Sequence, residues 1–111
     1  MQLTHLGGPT VLIELAGWRI LTDPTFDPPG RRYTFGWGTS SRKLSGPTTP
    51  VGRLPAADLV LLSHDHHADN LDEMGRRTLA GATTIVTTGP AGRRLTGPDV
   101  RGLDDWSSTV V

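Results

Sequence analysis

Histidine and aspartate are concentrated in residues 63–72, which read SHDHHADNLD. This segment holds three of the four histidines in the chain, together with three aspartates. Imidazole nitrogen and carboxylate oxygen both bind divalent transition metals. Because the chain contains no cysteine, thiolate ligands and disulfide bonds are excluded. The composition of the segment therefore predicts a divalent-metal site, with zinc expected first and manganese or iron as alternatives.

The spacing of these residues suggests which side chains share an ion. In an extended backbone, residues two apart point to the same side, so His64 and His66 can face one metal. Asp69 is close enough to add a carboxylate oxygen, whereas His67 would point to the other side. Two imidazoles, one carboxylate and a vacant position are typical of a catalytic zinc. The alternative interpretation is a solvated polar loop with incidental histidines, and the aspartate and the apolar run before the segment argue against it.

The elements around the segment predict an α/β fold. Residues 58–63 form a continuous apolar run, typical of a strand buried on both faces. A helix is expected from Asn70, which with Glu73 resembles a capping box, so the Asn70 side chain would bond backbone N–H groups. A second strand is expected over residues 83–87 and a short helical turn over 89–95. Binding sites in such sheets tend to lie at the carboxyl ends of strands.

The two ends of the chain add further predicted strands. Residues 10–15 and 18–22 are rich in β-branched and apolar side chains and form a predicted hairpin, with an earlier strand at residues 2–6. Residues 106–111 begin like another strand. Together these elements predict one domain over residues 1–111.

Residues 24–57 are rich in glycine and proline and lack usable periodicity, so they are predicted to form a long ordered loop or lid. This loop holds four of the six aromatic residues of the chain, namely Phe26, Tyr33, Phe35 and Trp37. They could pack on the sheet or form a wall facing a substrate. Packing is the favoured interpretation, because aromatic side chains are large hydrophobic groups.

The segment SHDHHADNLD resembles the His-x-His-x-Asp-His signature of the metallo-β-lactamase fold, in its ascorbate-6-phosphate lactonase-like branch. Residues 4–14 resemble the first hairpin of that family, residues 21–24 its next strand end and residues 44–47 its following loop. The resemblance implies an α/β fold that forms the N-terminal half of an αββα sandwich. The domain of residues 1–111 would then be incomplete.

The resemblance also implies roles for individual residues. His64 and His66 would bind a first metal, while Asp69 would bind a second metal and orient the hydroxide, which makes Asp69 the candidate catalytic residue. One residue, either His67 or Ala68, is inserted before this aspartate. Asn70 stands where the family has its final histidine, and His67 is a candidate substitute ligand.

The implied activity is metal-dependent hydrolysis of a small-molecule substrate, in which metal-bound hydroxide attacks an ester, lactone or phosphodiester. The histidines and bridging aspartate of the family's second half have no counterpart after Asn70. The alternative is therefore a catalytically incomplete fragment or remnant, which is inactive alone or completes its site as a homo-oligomer. His5, the remaining histidine, is expected to be structural.

Charge and hydropathy exclude other classes of function. Eleven basic and eleven acidic residues balance, and the arginine pairs are scattered, so neither nucleic acid nor an anionic membrane is an expected partner. The N-terminus lacks the pattern of a secretory signal, and the longest apolar run, residues 59–62, is too short to cross a bilayer. A cytoplasmic location is expected.

Overall fold

The structure, a computed structural model, describes residues 1–49, 51–97 and 99–111. One six-stranded sheet carries most of the elements, and two further strands pair with each other. In chain order the elements are β1 (Gln2–Gly7), β2 (Thr10–Leu15), β3 (Trp18–Thr22), β4 (Arg32–Gly36), β5 (Thr39–Arg42), a 3-10 turn (Val51–Arg53), β6 (Leu59–Leu62), α1 (Glu73–Leu79), β7 (Thr84–Thr88), α2 (Gly89–Arg94) and β8 (Val100–Leu103). The predicted α/β class is confirmed.

The large sheet has the strand order β1-β2-β3-β6-β7-β8. Its first three strands are antiparallel neighbours, as expected for consecutive hairpins, while β3, β6, β7 and β8 run parallel. Parallel neighbours require crossover connections, which here include α1 and α2. The carboxyl ends of β3, β6 and β7 therefore lie together at one edge of the sheet. No helix among the described residues combines the length and hydropathy that a bilayer span requires.

The hydrophobic core lies between one face of the sheet and α1. Leu21, Val60 and Ile85 are neighbours across three parallel strands, and all three are buried. Leu79 of α1 joins the same cluster. The opposite face is less covered, since Leu61 in the middle of β6 is 38% exposed. The expectation that this run is buried on both faces is wrong at that residue.

Helix α1 begins three residues later than the sequence pattern suggests. Its N-cap is Asp72, whose side chain accepts a hydrogen bond from the Gly75 backbone nitrogen at 2.7 Å. The prediction that Asn70 caps the helix is therefore wrong, because Asn70 lies in the preceding turn. Gly75 is required by close packing, since a Cβ atom there would lie 1.8 Å from the Pro24 carbonyl oxygen. The helix start is thus pressed against the chain that leaves β3.

The predicted loop over residues 24–57 contains regular structure. Strands β4 and β5 pair as a hairpin whose two turn residues, Trp37 and Gly38, both have positive φ, as tight hairpin turns require. The strands escaped prediction because they are short and mostly polar. Phe26 is buried, as the packing interpretation requires, but Trp37 is fully exposed and contradicts it. Tyr33 is half-buried, and the side chain of Phe35 lies outside the described residues.

The last strand is β8, so the prediction of a strand over residues 106–111 is wrong. Trp106 is fully exposed and has a φ of 61°. The signal for β8 was weakened by Gly102, because glycine is uncommon inside strands. Close packing explains the glycine at position 102, since a Cβ atom on Gly92 of α2 would lie 2.7 Å from the Gly102 Cα atom. Helix and strand approach closely through these two glycines.

Candidate metal centre

The histidine segment, residues 63–72, follows the carboxyl end of β6 and leads to α1. Residues 63–70 form bends and turns rather than extended backbone. The Asn70 and Leu71 backbone nitrogens both donate to the His67 carbonyl oxygen at 3.1 Å. The two-residue alternation that placed His64 and His66 on one side and His67 on the other therefore does not apply here.

The turn brings His64, His67 and Asp69 together. One ligand atom from each of these residues lies within 4.8 Å of the other two. His64 is half-buried, whereas His67 and Asp69 are exposed. The His66 ring stays close, with its centroid 5.4 Å from that of His64 and 4.7 Å from that of His67. Three imidazoles and one carboxylate thus lie close together just after the carboxyl end of β6.

These donors fit a divalent transition metal. Zinc takes imidazole nitrogen and carboxylate oxygen at about 2.0–2.2 Å, so two ligands of one tetrahedral ion lie roughly 3.5 Å apart. The trio His64, His67 and Asp69 would contract by about 1 Å around an ion of that size, which rotation of the exposed His67 and Asp69 side chains allows. Two imidazoles and a carboxylate leave a coordination position open for a substrate or water. The arrangement is therefore chemically suited to a catalytic ion.

Two arginines, Arg76 and Arg94, donate hydrogen bonds to Asp65 of the histidine segment. The buried Asp65 carboxylate accepts two hydrogen bonds from Arg94, at 3.1 Å from Nε and at 2.5 Å from Nη2. Arg76 donates to the Asp65 carbonyl oxygen. These contacts with Arg94 hold the pKa of Asp65 below its ordinary value, so the carboxylate is ionised. His66 lies beside this Asp65–Arg94 pair, with its Nδ1 3.4 Å from Arg94 Nη2.

Asp23 accepts hydrogen bonds from Ser63 and Asn70 of the histidine segment. It was not identified as a site residue from the sequence. Asp23 follows β3 directly and has a φ of 30°, and its backbone nitrogen donates to the Leu61 carbonyl oxygen at 3.0 Å. Its Oδ1 accepts from the Ser63 backbone nitrogen at 2.7 Å, and its Oδ2 accepts from Asn70 Nδ2 at 3.3 Å. The Asp-Pro pair at the end of a predicted strand was the available signal.

Two further aspartates, Asp27 and Asp72, are buried at the start of α1. Asp72 Oδ2 accepts from the Asp27 backbone nitrogen at 2.5 Å and from Lys43 Nζ at 3.3 Å. Asp27 accepts from the Met74 backbone nitrogen and from the Tyr33 hydroxyl, each at 3.0 Å. Burial, together with this hydrogen bond, raises the pKa of Tyr33. The network ties the β4–β5 hairpin to the start of α1.

Comparison with known proteins identifies the family. A model described as "Beta-lactamase superfamily domain" matches residues 2–109. The chain belongs to the β-lactamase superfamily. The resemblance drawn from the histidine segment is confirmed at this level, while its assignment to the ascorbate-6-phosphate lactonase-like branch stays a prediction.

Relatives within the β-lactamase superfamily are longer proteins. An uncharacterized protein of Mycobacterium tuberculosis is 35% identical over 72 residues, which cover 65% of this chain and 18% of that protein. The N-acyl-phosphatidylethanolamine-hydrolyzing phospholipase D 1 of Caenorhabditis elegans is 35% identical over 69 residues, covering 62% and 18% respectively. The matched segments thus span under a fifth of these relatives.

Solved structures show the same fold. The isothiocyanate hydrolase from Delia radicum gut bacteria superposes with a TM-score of 0.75 and 25% identity, over 99% of this chain and 44% of that one. A possible metal-dependent hydrolase from Veillonella parvula superposes with a TM-score of 0.72 and 19% identity, over 91% and 41% respectively. The chain therefore corresponds to less than half of each of these structures.

Proposed function

We propose that this protein is a metal-dependent hydrolase whose ion is held by the histidine segment. The ligands would be His64, Asp69 and His67, with His66 at the edge of the site as the other imidazole. The observation that carries the proposal is the convergence of one ligand atom from each of the first three residues within 4.8 Å. Zinc is the first candidate ion, and manganese or iron are alternatives that accept the same donors.

When bound, such an ion supplies Lewis-acid polarisation of the bond to be cleaved. The chain's own residues supply position and charge. Asp69 is exposed beside the two imidazoles, where its carboxylate can orient a water molecule and accept its proton. The hydrogen bonds between Asp65 and Arg94 hold the histidine segment in place, so its imidazoles are positioned although the segment is not a strand.

The substrate class proposed is a small ester, lactone or phosphodiester, hydrolysed in the cytoplasm. A cleft next to Asp69 separates the histidine segment from the β4–β5 hairpin and is lined by Tyr33, Lys43 and Ala68, among others. Lys43 Nζ is paired with the buried Asp72 carboxylate, but the exposed Arg42 also lines this cleft, and its positive charge suits a carbonyl or phosphoryl oxygen. The names of two similar proteins, an isothiocyanate hydrolase and an N-acyl-phosphatidylethanolamine-hydrolyzing phospholipase D, indicate that chemically different substrates are hydrolysed among similar proteins.

The proposal is tested by hydrolysis of aryl ester, lactone and bis-aryl phosphodiester probes with added zinc, manganese or iron. We expect turnover of at least one probe that is abolished by a chelator and reduced at least about 100-fold in Asp69→Ala, since removal of a proton acceptor typically costs about 100-fold or more. Glu14→Ala, which removes an exposed carboxylate at the opposite end of the sheet, is the control. Turnover unaffected by chelator would overturn the metal-dependent mechanism.

A second candidate is favoured by the uncovered sheet face. Leu3, Leu15, Trp18 and Leu61 project from it and are 60%, 46%, 42% and 38% exposed. An exposed apolar patch of this kind usually marks an interface. We propose that in this alternative a second copy of the chain covers the face, and that the pair rather than the single chain completes the catalytic site.

Molar mass from light scattering separates the two candidates. The second predicts a dimer that Trp18→Glu converts to monomer, with loss of hydrolysis in the same variant. Trp37→Glu is the matched control, because Trp37 is fully exposed on the β4–β5 turn. An active monomeric parent would rule out the completion of the site by a second copy.

A further inference from the structure

The Asn70 side chain makes two hydrogen bonds, one to Asp23 and one to Ser63. Its Nδ2 lies 3.3 Å from Asp23 Oδ2 and 3.1 Å from Ser63 Oγ. Ser63 Oγ in turn lies 3.0 Å from His64 Nδ1, and the Ser63 backbone nitrogen donates to Asp23 Oδ1 at 2.7 Å. A continuous chain of contacts therefore runs from the end of β3 to the imidazole of His64.

The direction of most of these bonds follows from the donors available. An ionised carboxylate only accepts, so the Asn70 group that faces Asp23 must be the amide nitrogen. The same nitrogen then donates to Ser63 Oγ and occupies one of its two lone pairs. The second lone pair can accept a hydrogen bond from the N–H group of His64 Nδ1, while the exposed Ser63 hydroxyl can donate to water.

We propose that Asn70 and Ser63 are positioning residues for the metal: they engage His64 Nδ1 as a donor, so that His64 binds the ion through Nε2. A histidine that binds metal through one ring nitrogen donates the proton of the other to a fixed acceptor, which sets both tautomer and ring orientation. Ser63 Oγ is that acceptor here, and Asn70 anchors it to Asp23. The inference rests on the proposed metal function.

Asn70 thereby has a different task from the histidine found at this place in the family signature. It does not bind the ion, and it does not cap α1, since Asp72 does so. It joins the ends of β3 and β6 to the turn that carries His64. Loss of a group that positions a metal ligand typically weakens metal affinity about 10–100-fold.

The test is zinc titration by competition with a chromogenic chelator, combined with ¹⁵N NMR of the histidine rings in zinc-loaded protein. We expect His64 to coordinate through Nε2 with a protonated Nδ1 in the parent. We expect Ser63→Ala and Asn70→Ala to weaken zinc binding about 10–100-fold, with Ser63→Thr close to the parent because it keeps the hydroxyl. Ser107→Ala, an exposed serine outside the segment, is the control.

Coordination of His64 through Nδ1, or parent-like affinity in both alanine variants, would overturn the inference. An altered melting temperature with unchanged zinc affinity and ring signals would also overturn it, by assigning Asn70 a structural role only. If the parent itself binds no zinc, manganese or iron, the proposed metal function fails first. The two failures are therefore distinguishable.

Discussion

The buried carboxylate of Asp72 connects three parts of the molecule, and its removal gives the sharpest stability prediction. Asp72 is 1% exposed. It accepts hydrogen bonds from the Gly75 nitrogen at 2.7 Å, the Asp27 nitrogen at 2.5 Å and Lys43 Nζ at 3.3 Å. We expect Asp72→Ala to destabilise the fold and to disorder the start of α1.

The magnitude follows from the donors left behind. Loss of an N-cap costs about 1 kcal/mol. The Asp27 backbone N–H is buried, and an unsatisfied buried donor costs about 1–3 kcal/mol. Lys43 is 17% exposed at its side chain and can turn towards water, so it adds little. The sum is about 2–4 kcal/mol, which for a chain of 111 residues lowers Tm by roughly 8–16 °C.

The assay is urea unfolding and thermal melting followed by circular dichroism. Asp72→Asn is a stricter variant, because its oxygen can still cap Gly75 but its NH2 group would face the Asp27 N–H donor. We expect it to cost about 1–3 kcal/mol. Asp105→Ala, at an exposed position, should stay within about 0.5 kcal/mol of the parent. If Asp72→Ala also stays within about 0.5 kcal/mol, the buried network does not stabilise the fold as described.

Three further predictions concern packing and pH. Gly75→Ala should prevent normal docking of α1 and lower Tm in the same melting assay, because its Cβ would lie 1.8 Å from a backbone oxygen; a parent-like Tm would contradict this close approach. Phe26→Ala should cost about 3–5 kcal/mol in urea unfolding and Trp37→Ala almost nothing, since Phe26 is 4% and Trp37 103% exposed; equal losses would be inconsistent with these exposures. Hydrogen bonds from Arg101 hold the pKa of Asp99 below the ordinary 3.8, so their stabilising contribution is present above that pH and is lost as pH falls through the lower folded value. Asp99→Asn should therefore reduce the loss of stability below pH 3.8 in acid titrations followed by circular dichroism, and an unchanged acid profile would refute it.

The sequence pattern sufficed for the strands that carry apolar side chains. Strands β2 and β3 lie at the predicted residues, and β6 and β7 lie within one residue of prediction at either end. Their signal is local, because β-branched and apolar residues in short runs fit a sheet wherever it forms. Elements held by tertiary contacts gave no such signal. Strand β8 depends on the close approach of Gly102 to α2, and β4 and β5 are polar strands with a tight turn.

The candidate site was predictable in composition but not in arrangement. Three histidines and an aspartate after an apolar strand were enough to propose a metal site here, because ligand types and strand ends are read directly from sequence. The choice among neighbouring imidazoles depends on backbone direction. The turn over residues 63–70 brings His67 beside His64 and Asp69, and turns His66 towards Arg94. Asp23 and Asn70 contribute through contacts between residues 47 positions apart, which spacing along the chain cannot reveal.

The central claim is that the histidine segment holds a catalytic divalent ion. Its most direct test is elemental analysis of zinc, manganese and iron in the purified parent and in His64→Ala, His66→Ala, His67→Ala and His5→Ala. The structure predicts a bound ion in the parent, loss of it in His64→Ala and His67→Ala, partial retention in His66→Ala and parent-like content in His5→Ala. Metal content that is the same in the parent, His64→Ala and His67→Ala, or absent from all of them, would contradict the account.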